Sequence, residues 1–292
     1  MEGAADIDGL AIAAILAKAA GYAAALLAMG GPLFVTGFRQ PPKDVSRLAR
    51  QIAVAAALVG LAVLALRFGI RAARISGMGL SGAVDPLMLG FVWDSPLGTA
   101  AIWRGAGYAC ILALLLRHPA GKGLSLIGTL LIAVSYTRVG HALSDPQVVL
   151  SACLVAHLLA LALWIAALIP LRRSAGLPGA AALLHDFGRV ASVTVPLLIV
   201  VGLVFAWVMV GSVSALVGTA YGLTLLIKVA LVSVLLSLAA LNKWRLVPAL
   251  AQDLPHAIAA LRRAITLEMA VVGLILLATA TLTSVTTPPL HL

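Results

Sequence analysis

Apolar runs of about twenty residues recur eight times along this chain, at roughly 9–36, 48–74, 98–117, 122–143, 148–170, 189–211, 219–243 and 261–284. That length matches the helical rise needed to cross the hydrocarbon core of a bilayer. Backbone in hydrocarbon must satisfy its own hydrogen bonds, so a span is a helix or a strand of a closed barrel. The strict alternation of barrel strands is absent. The expected fold is all-α: a polytopic membrane bundle of eight transmembrane helices, with residues 1–292 forming a single transmembrane domain. Only 10% of residues are charged, against about 25% in a soluble domain. The first run follows the acidic "MEGAADID" and is too long for a signal peptide, so it is expected to stay as a helix.

The net charge of +10 is distributed by loop. Arg39, Lys43, Arg47 and Arg50 follow the first span, and Arg117 and Lys122 the third. Arg172, Arg173 and Arg189 flank the loop after the fifth, and Lys243, Arg245, Arg262 and Arg263 the loop after the seventh. These are alternate loops, and cytoplasmic loops collect Lys and Arg. Both termini are then expected outside, with Glu2, Asp6 and Asp8 at one end and "TTPPLHL" at the other. Arg67, Arg71 and Arg74 break the pattern at the outer end of the second span. The charge is read as a topology signal, with no nucleic-acid partner. Two extramembrane segments stand out. Residues 75–97 are rich in Gly and Pro and are expected to fold back as a short interfacial helix over the bundle mouth. "RRSAGLPGAAALLHDFGR" suits a short amphipathic helix on the cytoplasmic surface. Cys110 and Cys153 fall in different spans with no CxxC, so neither a disulfide nor a cysteine-rich zinc site is expected.

Ionisable residues inside a membrane are costly and mark functional candidates. His157 lies well inside the fifth span, with Cys153 one turn earlier on the same face. The turn "LSDP" makes the fourth and fifth spans antiparallel neighbours, so His141 and His157 are expected to line one outer half. Imidazole and thiolate together suit copper, either Cu(I) or Cu(II), with sulfur favouring Cu(I). The competing reading is an interhelical hydrogen bond for each histidine and simple packing for Cys153. Paired intramembrane histidines also serve as haem ligands, so a b-type haem electron-transfer protein is the alternative. Lys18, Lys228 and Glu268 each fall in the middle of their spans. They are expected to meet either as a structural clamp between the first, seventh and eighth helices or as a charge relay. Arg138 either snorkels or holds a carboxylate such as Asp145 or Asp94. Arg104, beside Trp103, reads as an interface anchor. Met78 and Met88, in the outer segment, either capture Cu(I) or pack. No hydrolase triad, phosphate loop or zincin helix is present, so no enzymatic activity is expected.

Several stretches resemble one family. "GHA" at 140–142, "HLLALALWIAALIPL" from His157, "TAYGLTLLIKVALVSVLLSLAALNKWRLVP" from Thr219, "AGYAAALLAMGGPLFVTGF" in the first span and the ending "RRAITLEMAVVGLILLATATLTSVTTPP" are similar to the CopD (PcoD) family of copper resistance membrane proteins. Ala166 and Ala167 stand where that family usually has Gly-Gly, Gly188 where a serine often follows the phenylalanine, and Lys243 where arginine often follows the asparagine. The resemblance implies copper transport across the bacterial inner membrane, contributing to copper homeostasis or resistance. It also implies delivery by a separate CopC-like periplasmic copper-binding protein.

Overall fold

The computed structural model describes residues 8–38, 41–139, 147–210 and 212–284, and the regular structure in them is helical. Helix α1 (Gly9–Gly37) starts at Asp8, whose carboxylate accepts the Ala11 N–H at 2.6 Å and so satisfies a donor the first turn leaves open. Helix α2 (Lys43–Ser76) stops at Gly77, whose left-handed φ of 66° suits glycine. A 3₁₀ turn (Gly79–Val84) and α3 (Pro86–Trp93) follow. Helix α4 (Pro96–Ile111) continues as a 3₁₀ turn to Leu116, and α5 (Pro119–Ser135) as one to Arg138. Then come α6 (Gln147–Ser174), α7 (Ala180–Val210), the short α8 (Val213–Gly218) and α9 (Ala220–Leu241). A π turn (Asn242–Leu246) joins α9 to α10 (Val247–Ala251), and α11 (Ala257–Leu282) closes the bundle. With these continuations, eight rods among the described residues are long and apolar enough to cross a bilayer: α1, α2, α4, α5, α6, α7, α9 with α10, and α11.

Two expectations change in detail. The segment before the sixth span is no separate surface helix. Helix α7 runs unbroken from Ala180, because Ala180, Leu183 and Leu184 are buried against the same cluster as Leu171 and Leu261. Apolar contact on that face makes the segment the first turns of the span. Residues 79–93 do form short helices, but they fold back along α2. A Cβ at Gly69 would lie 3.2 Å from the Ala83 carbonyl, and the Phe68 and Trp93 rings stand 6.1 Å apart.

Small residues set how closely the rods approach. A Cβ at Gly30 of α1 would strike the Ala162 carbonyl and the Ala166 methyl of α6. A Cβ at Gly31 would strike Ala53 of α2, and one at Gly107 of α4 would lie 2.8 Å from the Gly128 carbonyl of α5. Helix α1 is therefore a central post touched by backbone on two sides. Apolar side chains such as Val193, Leu203 and Trp207 of α7 and Ile227 and Val229 of α9 stay exposed, as lipid-facing positions do.

Gly30→Ala is expected to force α1 and α6 apart and to destabilise the protein by about 1–3 kcal/mol. Gly273→Ala, whose new Cβ meets nothing within 4 Å, is expected to be neutral or mildly stabilising. Thermal unfolding in detergent, followed by tryptophan fluorescence, distinguishes them; equal shifts would contradict this packing.

Candidate functional site

The polar residues of α6 fall along one face. Cys153, His157 and Trp164 are spaced by four and seven residues, which keeps them in line on an α-helix and puts about 6 Å and 10 Å of rise between them. Cys153 is a half-buried free thiol. Nδ1 of His157 is buried and has no hydrogen-bond partner. A buried imidazole nitrogen without a partner is uncommon and needs a reason. Lys228 of α9 lies within electrostatic range of this imidazole and makes no hydrogen bond or ion pair among the described residues. A basic nitrogen and an unsatisfied imidazole thus lie within electrostatic range of each other inside the bundle.

Below them on the same α6 face, Trp164 meets Glu268 of α11. Glu268 is only 2% exposed. It accepts a hydrogen bond from the Asn242 side-chain amide, and the Trp164 side chain is its second partner. Asn242 opens the π turn between α9 and α10, and its Oδ1 is buried without a partner. Turns of this wider kind occur often at functional sites. The carboxyl group is therefore held by neutral donors, and no lysine forms an ion pair with it among the described residues.

Lys18 sits elsewhere. Its Nζ donates to the Thr283 carbonyl at the end of α11, and the Tyr22 hydroxyl is 3.2 Å from the Thr283 side chain. A cation on the last carbonyls of a helix is favourable there, so Lys18 ties α1 to the end of α11. The expected meeting of Lys18, Lys228 and Glu268 is corrected: each has its own surroundings. Depth as well as angle separates them: Lys18 reaches Thr283 at the end of α11, about four turns beyond Glu268 on that helix, while Lys228 lies near His157 and Glu268 bonds Asn242.

The remaining candidates separate too. Arg138 is exposed and lies over the Trp103 ring, 5.0 Å from its centroid, an exposed cation–π contact with no ion pair to Asp94. Arg104 is no interface anchor: it is 6% exposed, donates to the Ser135 hydroxyl at 3.0 Å and stacks 3.9 Å over the Tyr136 ring. Met78 is 54% exposed at the turn after α2, and Met88 is half-buried in α3. His141 and Asp145 lie outside the described residues. His118 and His256 stand at the starts of α5 and α11, and His185 in the first turns of α7. Among the described residues no three of His, Cys, Asp or Glu gather around one point where a metal could be held. The α6 face carries a thiol, an imidazole and an indole at different depths.

Sequence reasoning did not single out Asn242, Trp164 as a partner of Glu268, or the inward turn of Arg67 and Arg104. An asparagine closing an apolar run and an arginine within one were the available signals.

Residues 7–148 match the family model described as Copper resistance protein D-like, N-terminal domain, and residues 181–282 match the model described as Copper resistance protein D. The α6 face with Cys153, His157 and Trp164 lies between the two matched stretches. No curated protein and no solved structure matches the chain.

Glu268→Leu leaves the Asn242 and Trp164 donors unpaired. It is expected to destabilise the protein by roughly 1–3 kcal/mol per abandoned group, whereas Glu268→Gln retains an accepting oxygen and loses less. Unfolding midpoints of the two variants check this; a leucine variant as stable as the glutamine one would contradict the assignment.

Proposed function

The chain belongs to the copper resistance protein D family, and from that premise we propose that it conducts copper ions through the membrane along the polar face of α6. Family membership gives the protein a role in copper resistance or homeostasis, and its eight apolar rods make it a multi-pass membrane protein. The observation that carries the rest is the His157 imidazole, buried with a free nitrogen inside the bundle and one turn from a free thiol.

In this reading the bacterial inner membrane is the site of action and both termini face outward. Copper arrives from a CopC-like extracytoplasmic copper-binding protein. The ion is the cargo, and the protein does no covalent chemistry on it. A thiol and an imidazole one turn apart form a soft, low-coordination pair that favours Cu(I). Such a pair exchanges its ion more readily than a closed three- or four-ligand site. His141 extends the same path toward the outside. Lys228 faces the ion's route as a basic group. Protonated, it repels a cation at His157; deprotonated, it does not. Proton loss at Lys228 accompanies copper occupancy in this scheme, which couples the two movements. Below His157, Glu268 and Asn242 supply oxygen acceptors on the way to the far end.

Purified protein reconstituted in liposomes, loaded with or bathed in Cu(I), reads flux in either direction. His157→Ala is expected to cut the copper flux at least tenfold, on the order of the loss produced by removing a metal-site partner, with little change in unfolding temperature. Cys153→Ser is expected to reduce it less. A His157→Ala protein that carries copper at the unaltered rate would end this proposal.

A further inference from the structure

Midway along α1, α2 and α4 lies a cationic pocket that the copper route does not use. Arg67 of α2, Arg104 and Tyr108 of α4, and the bare backbones of Gly21 and Gly60 line a gap of about 10 Å³. Gly60 is needed for the arrangement; Gly21 is not crowded. A Cβ at Gly60 would strike the Tyr108 ring, and one at Gly21 would lie 3.7 Å from the Arg67 guanidinium. Arg104 is oriented by Ser135 beneath it and the Tyr136 ring against its face. The Tyr136 hydroxyl is itself buried and has no hydrogen-bond partner.

Charge makes this cluster unusual. Arg67 and Arg104 are within electrostatic range of each other, and among the described residues neither forms an ion pair with a carboxylate. Two like charges in a low-dielectric interior repel strongly, and a buried charge without a counter-charge is severely destabilising. Water in the gap solvates such a pair without neutralising it. A gap of this size admits about one small sphere, which suits a single atom and not a tetrahedral oxyanion.

We propose that the pocket between α1, α2 and α4 binds one monatomic anion, chloride under cellular conditions, held by Arg67, Arg104 and the Tyr108 hydroxyl. The anion supplies the missing counter-charge and ties three helices together midway along their length. The site is separate from the α6 face and does not depend on the transport reading.

The test uses the full-length protein purified in detergent with gluconate as the only anion. Chloride is then titrated while the thermal unfolding midpoint is followed, since a ligand that binds the folded state raises it saturably. A saturable rise is expected, with half-saturation about tenfold weaker in Tyr108→Phe, the order expected for losing one hydrogen bond to a charged group. The rise should be absent in Arg67→Gln. Crystals grown in bromide should give an anomalous peak beside Arg67, Arg104 and Tyr108. Should Arg67→Gln not fold, Tyr108→Phe and the bromide peak still decide the matter. The proposal is overturned if chloride does no more than added gluconate, or if Tyr108→Phe responds as the unaltered protein does. It is also overturned if inorganic phosphate or anionic lipid, and not chloride, produces the rise. A wild type indifferent to chloride together with an Asp145→Asn variant that loses stability would identify a carboxylate of the chain as the counter-ion, and would equally overturn it.

Discussion

Everything in this bundle rests on α1 meeting its neighbours backbone to backbone. Lipid tails are as apolar as leucine, so helices in a membrane gain little from hiding apolar side chains from one another. They associate through close packing and through the few polar contacts that close packing permits. Gly30 against Ala162, Gly31 against Ala53 and Gly107 against Gly128 bring the rods to the shortest separations their backbones allow. Between other helix pairs polar contacts do the joining: a lysine on α1 reaches the carbonyl of Thr283 after α11, and an asparagine after α9 reaches a carboxylate on α11.

The polar interior is not one cluster. Three ionisable groups at different depths have three unlike environments. Lys18 serves a helix terminus, Glu268 is held by neutral donors, and Lys228 is within electrostatic range of an imidazole with no carboxylate paired to it among the described residues. The first two are satisfied and act as fasteners. The third is the unsettled one, and it is next to the other unsatisfied nitrogen, His157 Nδ1. In a packed interior most polar groups have partners, so two such nitrogens within electrostatic range of each other set this part of the bundle apart.

The fold was legible in the sequence because a bilayer imposes a length on every span, and eight runs of that length leave little freedom. Edges moved where an apolar face continued past the expected boundary, as at Ala180–Leu184. The site was legible only in part. His157 and Cys153 announced themselves as polar residues one turn apart on a single helix, a relation fixed by local geometry. The meeting of Lys18, Lys228 and Glu268 did not form, because a count along the chain does not say how three separate helices are shifted along and rotated about their axes against one another, and Lys18 lies at the level of Thr283, well beyond Glu268 on α11. Arg104 shows the same limit. Beside Trp103 it had the look of a residue at the lipid headgroups, but one residue of helix turns it about 100° away, under Tyr136 and onto Ser135.

The π turn at Asn242–Leu246 has a consequence of the same angular kind. An additional residue in one turn swings everything after it by roughly a quarter of a circle. The long rod built from α9 and α10 therefore does not show one stripe to one neighbour along its whole length. Above the turn Lys228 lies within electrostatic range of His157; at the turn, Asn242 reaches α11 and Lys243 reaches Ser192 on α7. A single column is thus bonded to two others at the kink in its winding.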